Sequence, residues 1–140
     1  LGDVYKRQVK GHIHGKDGIY AASLLVEMIA VSGKKLSEIA EDIRREYGEI
    51  HMEERAYRFT LEEKERIQKV LMEDKGLPEL PFAVDHVSYL DGCKVYFQNG
   101  GWVSARFSGT EPLLRIFCEM EIEHEAVQVC EIFEKYLNLR

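Results

Sequence analysis

The sequence has no apolar run that approaches the roughly 18 residues a membrane-spanning helix needs. It also has no recognisable signal peptide, internal repeat or low-complexity segment. Positive charge is in short supply, because 19 Lys and Arg stand against 25 Asp and Glu, and the formal net charge is −6. A field of that sign repels nucleic acid and anionic membranes, so neither is expected as a partner. An anion can bind such a protein only at a locally organised site.

Cysteine is scarce as well. The three cysteines are Cys93, Cys118 and Cys130, an odd number whose spacings match no metal-binding motif. Cys118 and Cys130 fall within apolar patterns. We therefore predict reduced thiols in the core of a cytoplasmic protein rather than a disulfide framework.

The chain has 140 residues, of which 45% are apolar and 31% charged, as in an ordinary soluble globular protein. This length suits one domain with a core, or one small domain and part of another. Residues 1–8 begin with Leu and contain DVYKRQ, which resembles one translated frame of the transposon mosaic end used in sequencing libraries. We interpret them as a cloning or assembly remnant, with a natural N-terminal strand as the alternative. If they are a remnant, the native protein continues upstream and this chain is a C-terminal fragment.

The first half of the chain reads mainly as helix. IYAASLLVEMIAVSG (19–33) is apolar on nearly all sides, which predicts a helix that packs against a sheet or other helices. KKLSEIAEDIRREYG (34–48) predicts a second, amphipathic helix. Residues 49–59 alternate like a strand, and 60–76 form a helix that starts with a capping box. Its predicted core face is Leu61, Ile67, Val70 and Leu71.

The second half reads mainly as strand. Three strand-like runs occupy 84–97, 102–108 and 113–122, and the NGG at 99–101 predicts a hairpin between the first two. A last amphipathic helix, 123–139, has an apolar face that comprises Val127, Cys130, Phe133 and Leu137. Strand, helix, three strands and helix in this order predict a small α+β domain, an antiparallel sheet with helices on one side.

One stretch, RFSGTEPLLR (106–115), is rich in groups that bind anions. Arginine offers a planar fork to two phosphate oxygens, hydroxyls add short donors, and glycine lets the main chain turn its N–H groups inward. Arg106 and Ser108 are two residues apart and point to one side of their strand. Gly109 permits the turn, Thr110 lies at its apex, and Arg115 returns to face Arg106. The alternative is a polar hairpin turn with solvated arginines, and these residues alone leave both interpretations open.

The same residues resemble the C-terminal phosphate-binding loop of the α-D-phosphohexomutases, the family of phosphoglucomutase, phosphomannomutase and phosphoglucosamine mutase. Upstream, DGCKVYF and NGGW (91–102) resemble the approach to that loop. Earlier still, GHIHGKDGIYAASLLVEM (11–28) resembles the KDG segment of the third domain. The resemblance runs in order over residues 9–140.

The resemblance implies that residues 9–48 are the helical tail of an α/β/α domain 3. It also implies that residues 49–140 are domain 4, with a TATA-box-binding-protein-like fold. The whole enzyme is expected to be a cytoplasmic phosphoprotein and isomerase. It would interconvert hexose 1-phosphate and hexose 6-phosphate through a hexose 1,6-bisphosphate, using a phosphoserine in domain 1 and Mg²⁺ held by domain 2. Neither the serine loop nor the metal loop is in this sequence, so no metal ligand is expected here and the fragment alone is expected to be inactive. The alternative is a stand-alone, non-catalytic module that binds phosphosugars.

The resemblance also assigns roles to matching residues. Those expected to bind the phosphate that is not transferred are Arg106, Ser108, Gly109, Thr110 and Arg115. Lys16 of the KDG motif is a candidate general acid/base, and His12 in the same loop is a weaker candidate. Asp91 and Lys94 match the pattern but are interpreted as turn and strand-edge residues. The expected partners are a phosphorylated hexose, with glucose, mannose and glucosamine all open, and the missing domains of the same chain.

Overall fold

The computed structural model describes residues 9–13 and 15–139, and the predicted remnant 1–8 lies outside them. The described residues up to Gly48 form one compact unit, and those from Glu49 onwards form a second. The assignment of residues 9–48 and 49–140 to domains 3 and 4 stays a prediction.

The helices and strands are α1 (Gly18–Ser32), α2 (Leu36–Tyr47), β1 (His51–Arg58), α3 (Leu61–Gln68), β2 (Val84–Ser88), β3 (Cys93–Phe97), β4 (Trp102–Phe107), β5 (Leu113–Met120) and α4 (Glu123–Tyr136). Helix α3 runs directly into a π-helical turn, Lys69–Glu73. No helix in the described part of the chain has the length and apolar character that crossing a bilayer requires.

Both predicted helices of the first unit form, and their ends follow from local chemistry. The Asp17 carboxylate accepts a hydrogen bond from the backbone N–H of Tyr20 at 2.9 Å, which caps the start of α1. Gly33, with φ +66°, ends α1 in the left-handed conformation that glycine tolerates best. Neither α1 nor α2 contains a buried residue, and Ile19 is 84% exposed. The burial expected of the apolar α1 is therefore not met by the described residues.

The second unit is built on one antiparallel sheet with the strand order β1-β5-β4-β3-β2. The NGG segment does connect β3 to β4, as predicted, and Gly100 adopts φ +90° in that connection. Helix α3 connects β1 to β2, and α4 follows β5. The predicted α+β class is confirmed, and it places the 106–115 segment between the two neighbouring strands β4 and β5.

Among the described residues of the second unit, helices cover one face of the sheet. Burial alternates strictly along β5, as expected of a strand with helices on one side. Every second side chain of the inner strands joins residues of α3, the π-helical turn and α4 in a single hydrophobic core. The fully buried members are Ile67, Leu71, Cys93, Val95, Val103, Ala105, Leu114, Ile116, Cys118, Val129, Cys130, Phe133 and Leu137. The intervening side chains of β3, β4 and β5 lie on the opposite, open face.

The segment 84–97, predicted as one strand, is two strands. Strands β2 and β3 pair antiparallel and are joined by a tight turn in which Gly92 adopts φ +83°. The prediction failed because apolar residues continue through Tyr89 and Leu90, which masks the turn. Four strands, not three, therefore follow α3.

Two predicted helix faces are partly wrong. Leu61, the first residue of α3, is 73% exposed, whereas Ile67 and Leu71 are buried. In α4 the buried residues include Ala126 and Val129, and the predicted Val127 is only half-buried. The capping box of α3 is present as predicted, with Thr60 and Glu63 exchanging hydrogen bonds.

The three cysteines are buried free thiols, as predicted. Burial raises the pKa of the Cys93 thiol to about 11. Cys118 on β5 and Cys130 on α4 share a hydrogen bond, and this contact together with burial raises the pKa of Cys118. The thiols therefore act as small apolar groups of the core.

Candidate functional site

The two arginines of RFSGTEPLLR lie directly opposite each other. Arg106 on β4 is paired with Arg115 on β5 in the strand register. Directly opposed residues of an antiparallel pair have Cβ atoms about 4.5–5.5 Å apart, and like charges at that distance are unfavourable. The neighbouring Ala105 and Leu114 are buried on the covered face, so both arginines lie on the open face. The prediction that Arg115 faces Arg106 is confirmed.

The loop between the arginines is closed by backbone hydrogen bonds. The N–H of Ser108 donates to the carbonyl of Leu113 at 2.8 Å, and the N–H of Leu113 donates to the carbonyl of Glu111 at 2.8 Å. Below the loop, Phe107 packs edge-on against Phe59 with ring centroids 5.3 Å apart. The apex is thus exposed while both of its ends are fixed.

Arg106 is held by the turn between β2 and β3. Its Nε lies 3.2 Å from Oδ1 of Asp91. Gly92, the next residue, is pressed against β4: a Cβ there would lie 2.5 Å from the carbonyl oxygen of Ala105 and 3.0 Å from Cα of Arg106. The carboxylate therefore reaches Arg106 from a turn that is in direct contact with the same strand.

Arg115 has a weaker partner and an unusual nitrogen. Its Nη2 lies 3.4 Å from Oε2 of Glu111, a contact between two half-exposed side chains of the loop itself. Its Nε is buried and has no hydrogen-bond partner among the described residues. A buried donor left unpaired costs about 1–3 kcal/mol, so a position with such a donor favours an acceptor that completes it.

The three small residues of the loop lie beside the arginines. Ser108 is half-buried, and Gly109 and Thr110 are exposed at the apex. The glycine prediction needs a correction. Gly109 is not in the left-handed region, and a Cβ there would meet nothing within 4 Å, so the turn itself does not demand glycine. Space for a ligand close to the main chain is the property that Gly109 does provide.

The other two candidates lie in the loop before α1, in the first unit. His12 is engaged locally: its Nε2 lies 2.9 Å from Oδ2 of Asp17, and its ring stacks on Tyr20 at 3.8 Å between centroids. The Tyr20 N–H and then His12 lower the pKa of the Asp17 carboxyl. Lys16 is exposed. His12 thus has a structural role at the helix start, while catalysis by Lys16 or His12 stays a prediction.

Sequence reasoning missed the importance of Asp91. It was interpreted as a turn residue, and it is one, but its carboxylate also contacts a predicted phosphate ligand. The available signal was the DG pair, which indicates a sharp turn, in a segment that already resembled the family pattern. Lys94, interpreted as a strand-edge residue, lies on the open face over the Trp102 ring, 3.7 Å from its centroid.

A magnesium site was not expected here. Within residues 9–13 and 15–139, no group of three or more His, Cys, Asp or Glu side chains is placed to hold a metal ion. Anion binding by the 106–115 loop stays a prediction.

Comparison with known proteins matches both units of the chain. Residues 51–134 match the family model "Phosphoglucomutase/phosphomannomutase, C-terminal domain", and residues 7–47 match "Phosphoglucomutase/phosphomannomutase, alpha/beta/alpha domain III". The phosphoglucomutase/phosphomannomutase of Thermococcus kodakarensis is 35% identical over 129 residues, which cover 89% of this chain and 25% of that protein. A probable phosphoglucosamine mutase of Methanopyrus kandleri is 32% identical over 119 residues, 84% of this chain and 24% of that protein.

The chain spans about a quarter of the length of these relatives. The C-terminal-domain match covers the five-stranded sheet and the 106–115 loop, and the loop carries the residues by which the sequence resembled the phosphohexomutases. The chain belongs to the phosphoglucomutase/phosphomannomutase family.

Proposed function

We propose that the 106–115 loop binds the phosphate group of a hexose phosphate. The observation that carries the proposal is the buried Nε of Arg115, which lacks a partner among the described residues and lies on the strand directly opposite Arg106. Two opposed guanidinium groups repel each other, and a dianion bound between them would attract both and so offset that repulsion. Arginine binds phosphate oxygens in pairs, which fits two arginines at one loop mouth.

The remaining loop residues suit the same ligand. The hydroxyls of Ser108 and Thr110 supply uncharged donors beside the charged ones. The bare main chain at Gly109 lets a tetrahedral anion approach closely. None of these groups is suited to distinguish one sugar from another. We therefore assign phosphate recognition to this loop and leave the choice between glucose, mannose and glucosamine to residues outside the chain.

In the whole protein, the loop would hold the phosphate that is not being transferred. The names of the relatives, a phosphoglucomutase/phosphomannomutase and a probable phosphoglucosamine mutase, support a mutase activity for the full-length protein. We propose that it interconverts hexose 1-phosphate and hexose 6-phosphate through a bisphosphate. The phosphoserine and the Mg²⁺ of this proposal would be supplied by parts of the protein outside these 140 residues. Binding energy from a remote phosphate orients the sugar at the reacting centre. The 140 residues alone would bind phosphate without turning over the sugar.

The test is a calorimetric titration of the 140-residue chain with inorganic phosphate and with glucose 1-phosphate. Loss of a hydrogen bond to a charged group costs about 1.5–3 kcal/mol, so Arg115→Ala should weaken both ligands about tenfold or more. Arg45→Ala, which removes the same charge from an exposed position on α2, is the matched control and should leave affinity unchanged. Equal affinity of wild type and Arg115→Ala would remove this loop from the binding site.

A second arm tests the catalytic part of the proposal. In the full-length protein, Arg115→Ala should raise KM for the hexose phosphate far more than it lowers the rate of phosphoryl transfer from the enzyme. A full-length protein with no mutase activity would favour the alternative, a binding module without catalysis.

A further inference from the structure

We propose that Asp91 is a positioning residue that fixes the guanidinium of Arg106 for anion binding. The inference rests on the proposed phosphate-binding function of the loop and adds a residue from outside it. Asp91 belongs to the turn between β2 and β3, fifteen positions before Arg106 in the sequence.

The backbone around Asp91 is built to hold it in place. Gly92 adopts φ +83°, and its α-carbon faces β4 so closely that an added Cβ would lie 2.5 Å from the Ala105 carbonyl oxygen. Cys93, the next residue, is paired with Ala105 in the sheet. The turn is therefore anchored to the strand that carries Arg106, and the two side chains start from backbone positions fixed relative to each other.

The contact is made at the guanidinium end of the Arg106 side chain. Oδ1 of Asp91 lies 3.2 Å from Nε, the nitrogen nearest the aliphatic stem. A carboxylate contact at Nε restrains the orientation of the guanidinium, whose other donors lie on its remaining edges. The Arg106 side chain is 24% exposed and that of Asp91 54%, so the arginine is the more enclosed partner.

The other carboxylate at the site differs. Glu111 is a residue of the exposed loop, and it contacts Arg115 at 3.4 Å from within the surface that a phosphate would approach. A phosphate can displace Glu111 by competing for Arg115. Asp91 approaches Arg106 from the neighbouring turn, so the phosphate and Asp91 can contact the guanidinium together.

The two interpretations of Asp91 predict opposite changes in phosphate affinity when its carboxylate is removed. If Asp91 only adds negative charge near an anion site, removing it strengthens phosphate binding. If Asp91 positions Arg106, removing it weakens binding, because the arginine must then be ordered by the ligand. It also erodes discrimination between tetrahedral phosphate and planar nitrate, since charge attraction survives while geometry is lost.

The experiment compares four forms of the 140-residue chain by titration with phosphate and with nitrate: wild type, Asp91→Ala, Asp91→Glu and Asp85→Ala. Asp85 on β2 is an exposed carboxylate paired with His86, so its loss matches the change in charge. Thermal unfolding, followed by the fluorescence of Trp102, establishes that each variant is folded at the temperature of titration.

We expect Asp91→Ala to weaken phosphate binding about threefold or more and to lower the phosphate-to-nitrate affinity ratio. Asp85→Ala should bind phosphate as tightly as wild type or slightly more tightly, and Asp91→Glu, which keeps the carboxylate, should recover most of the affinity. Unchanged or tighter phosphate binding by Asp91→Ala overturns the positioning role while leaving the phosphate site intact. Wild-type protein that binds no phosphate overturns the proposed function, and this inference with it.

Discussion

Three glycines of the second unit provide a graded test of the sheet and of the turn that carries Asp91. Gly92 has φ +83° and would place a Cβ against the backbone of β4. Gly100 has φ +90° and Gly109 lies outside the left-handed region, and neither would meet any atom within 4 Å. Substitution by alanine therefore adds both strain and a collision at Gly92, strain alone at Gly100, and neither at Gly109.

The expected magnitudes follow from these terms. A left-handed conformation costs an alanine about 1–2 kcal/mol, while the stiffer unfolded chain returns about 0.4–1 kcal/mol. Gly100→Ala should thus lower the free energy of unfolding by about 0–1.5 kcal/mol, whereas Gly109→Ala should leave that free energy unchanged or raise it slightly. Gly92→Ala introduces the same backbone strain, and its Cβ would also lie 2.5 Å from the carbonyl oxygen of Ala105. Relieving that overlap costs about a further 1–3 kcal/mol. The total destabilisation by Gly92→Ala should be about 1–4.5 kcal/mol.

Urea unfolding measures these differences directly. Trp102 is the sole tryptophan of the sequence and lies on β4, so its fluorescence reports on the second unit. The informative quantity is the difference between Gly92→Ala and Gly100→Ala, because it isolates the collision from the strain. Gly92→Ala that is no more destabilising than Gly100→Ala would show that the turn does not press on β4. In that case contact with β4 does not hold Asp91 in place.

Three further predictions concern the core, the loop and the thiols. In urea titrations, Ile67→Ala should lower the free energy of unfolding by about 2–5 kcal/mol, because Ile67 is fully buried. Leu61→Ala on the same helix should change that free energy by under about 0.5 kcal/mol, because Leu61 is exposed. Similar losses in the two variants would contradict the burial pattern. Glu111→Gln should tighten calorimetric phosphate binding by up to about fivefold, because it removes the competing anion from Arg115, and weaker binding would argue against competition. The pKa of Cys93 is raised from 9.0 to about 11, so the stability that the buried thiol contributes is complete below pH 9 and lost as the pH rises towards 11. Cys93→Ala should flatten the alkaline fall in unfolding free energy over that window, and an unaltered slope would assign the fall to other groups.

Features that depend on local chemistry or strand periodicity were predictable from sequence. The opposed arginines follow from a two-residue side-chain period and a short connection between β4 and β5. The capping box at Thr60 and the hairpin at Gly100 are equally local. Each of these inferences needs only neighbouring residues and the geometry of one strand or one helix.

The features that the sequence did not predict depend on contacts between segments that are distant in the sequence. The β2–β3 turn was missed because apolar Tyr89 and Leu90 continue the strand pattern into it. The Asp91–Arg106 contact depends on the register of β3 against β4, which no local pattern specifies. Leu61 was misassigned because helical spacing identifies a stripe of residues but does not say which of them are covered by other segments.

The buried Nε of Arg115, which has no hydrogen-bond partner among the residues that the structure describes, bears on both the stability and the proposed affinity of the second unit. Desolvating that donor without a partner makes the ligand-free fold less stable by about 1–3 kcal/mol. If the loop binds phosphate as proposed, an acceptor oxygen of the phosphate would recover this free energy on binding, so part of the affinity would come from relieving a cost already present in the folded protein.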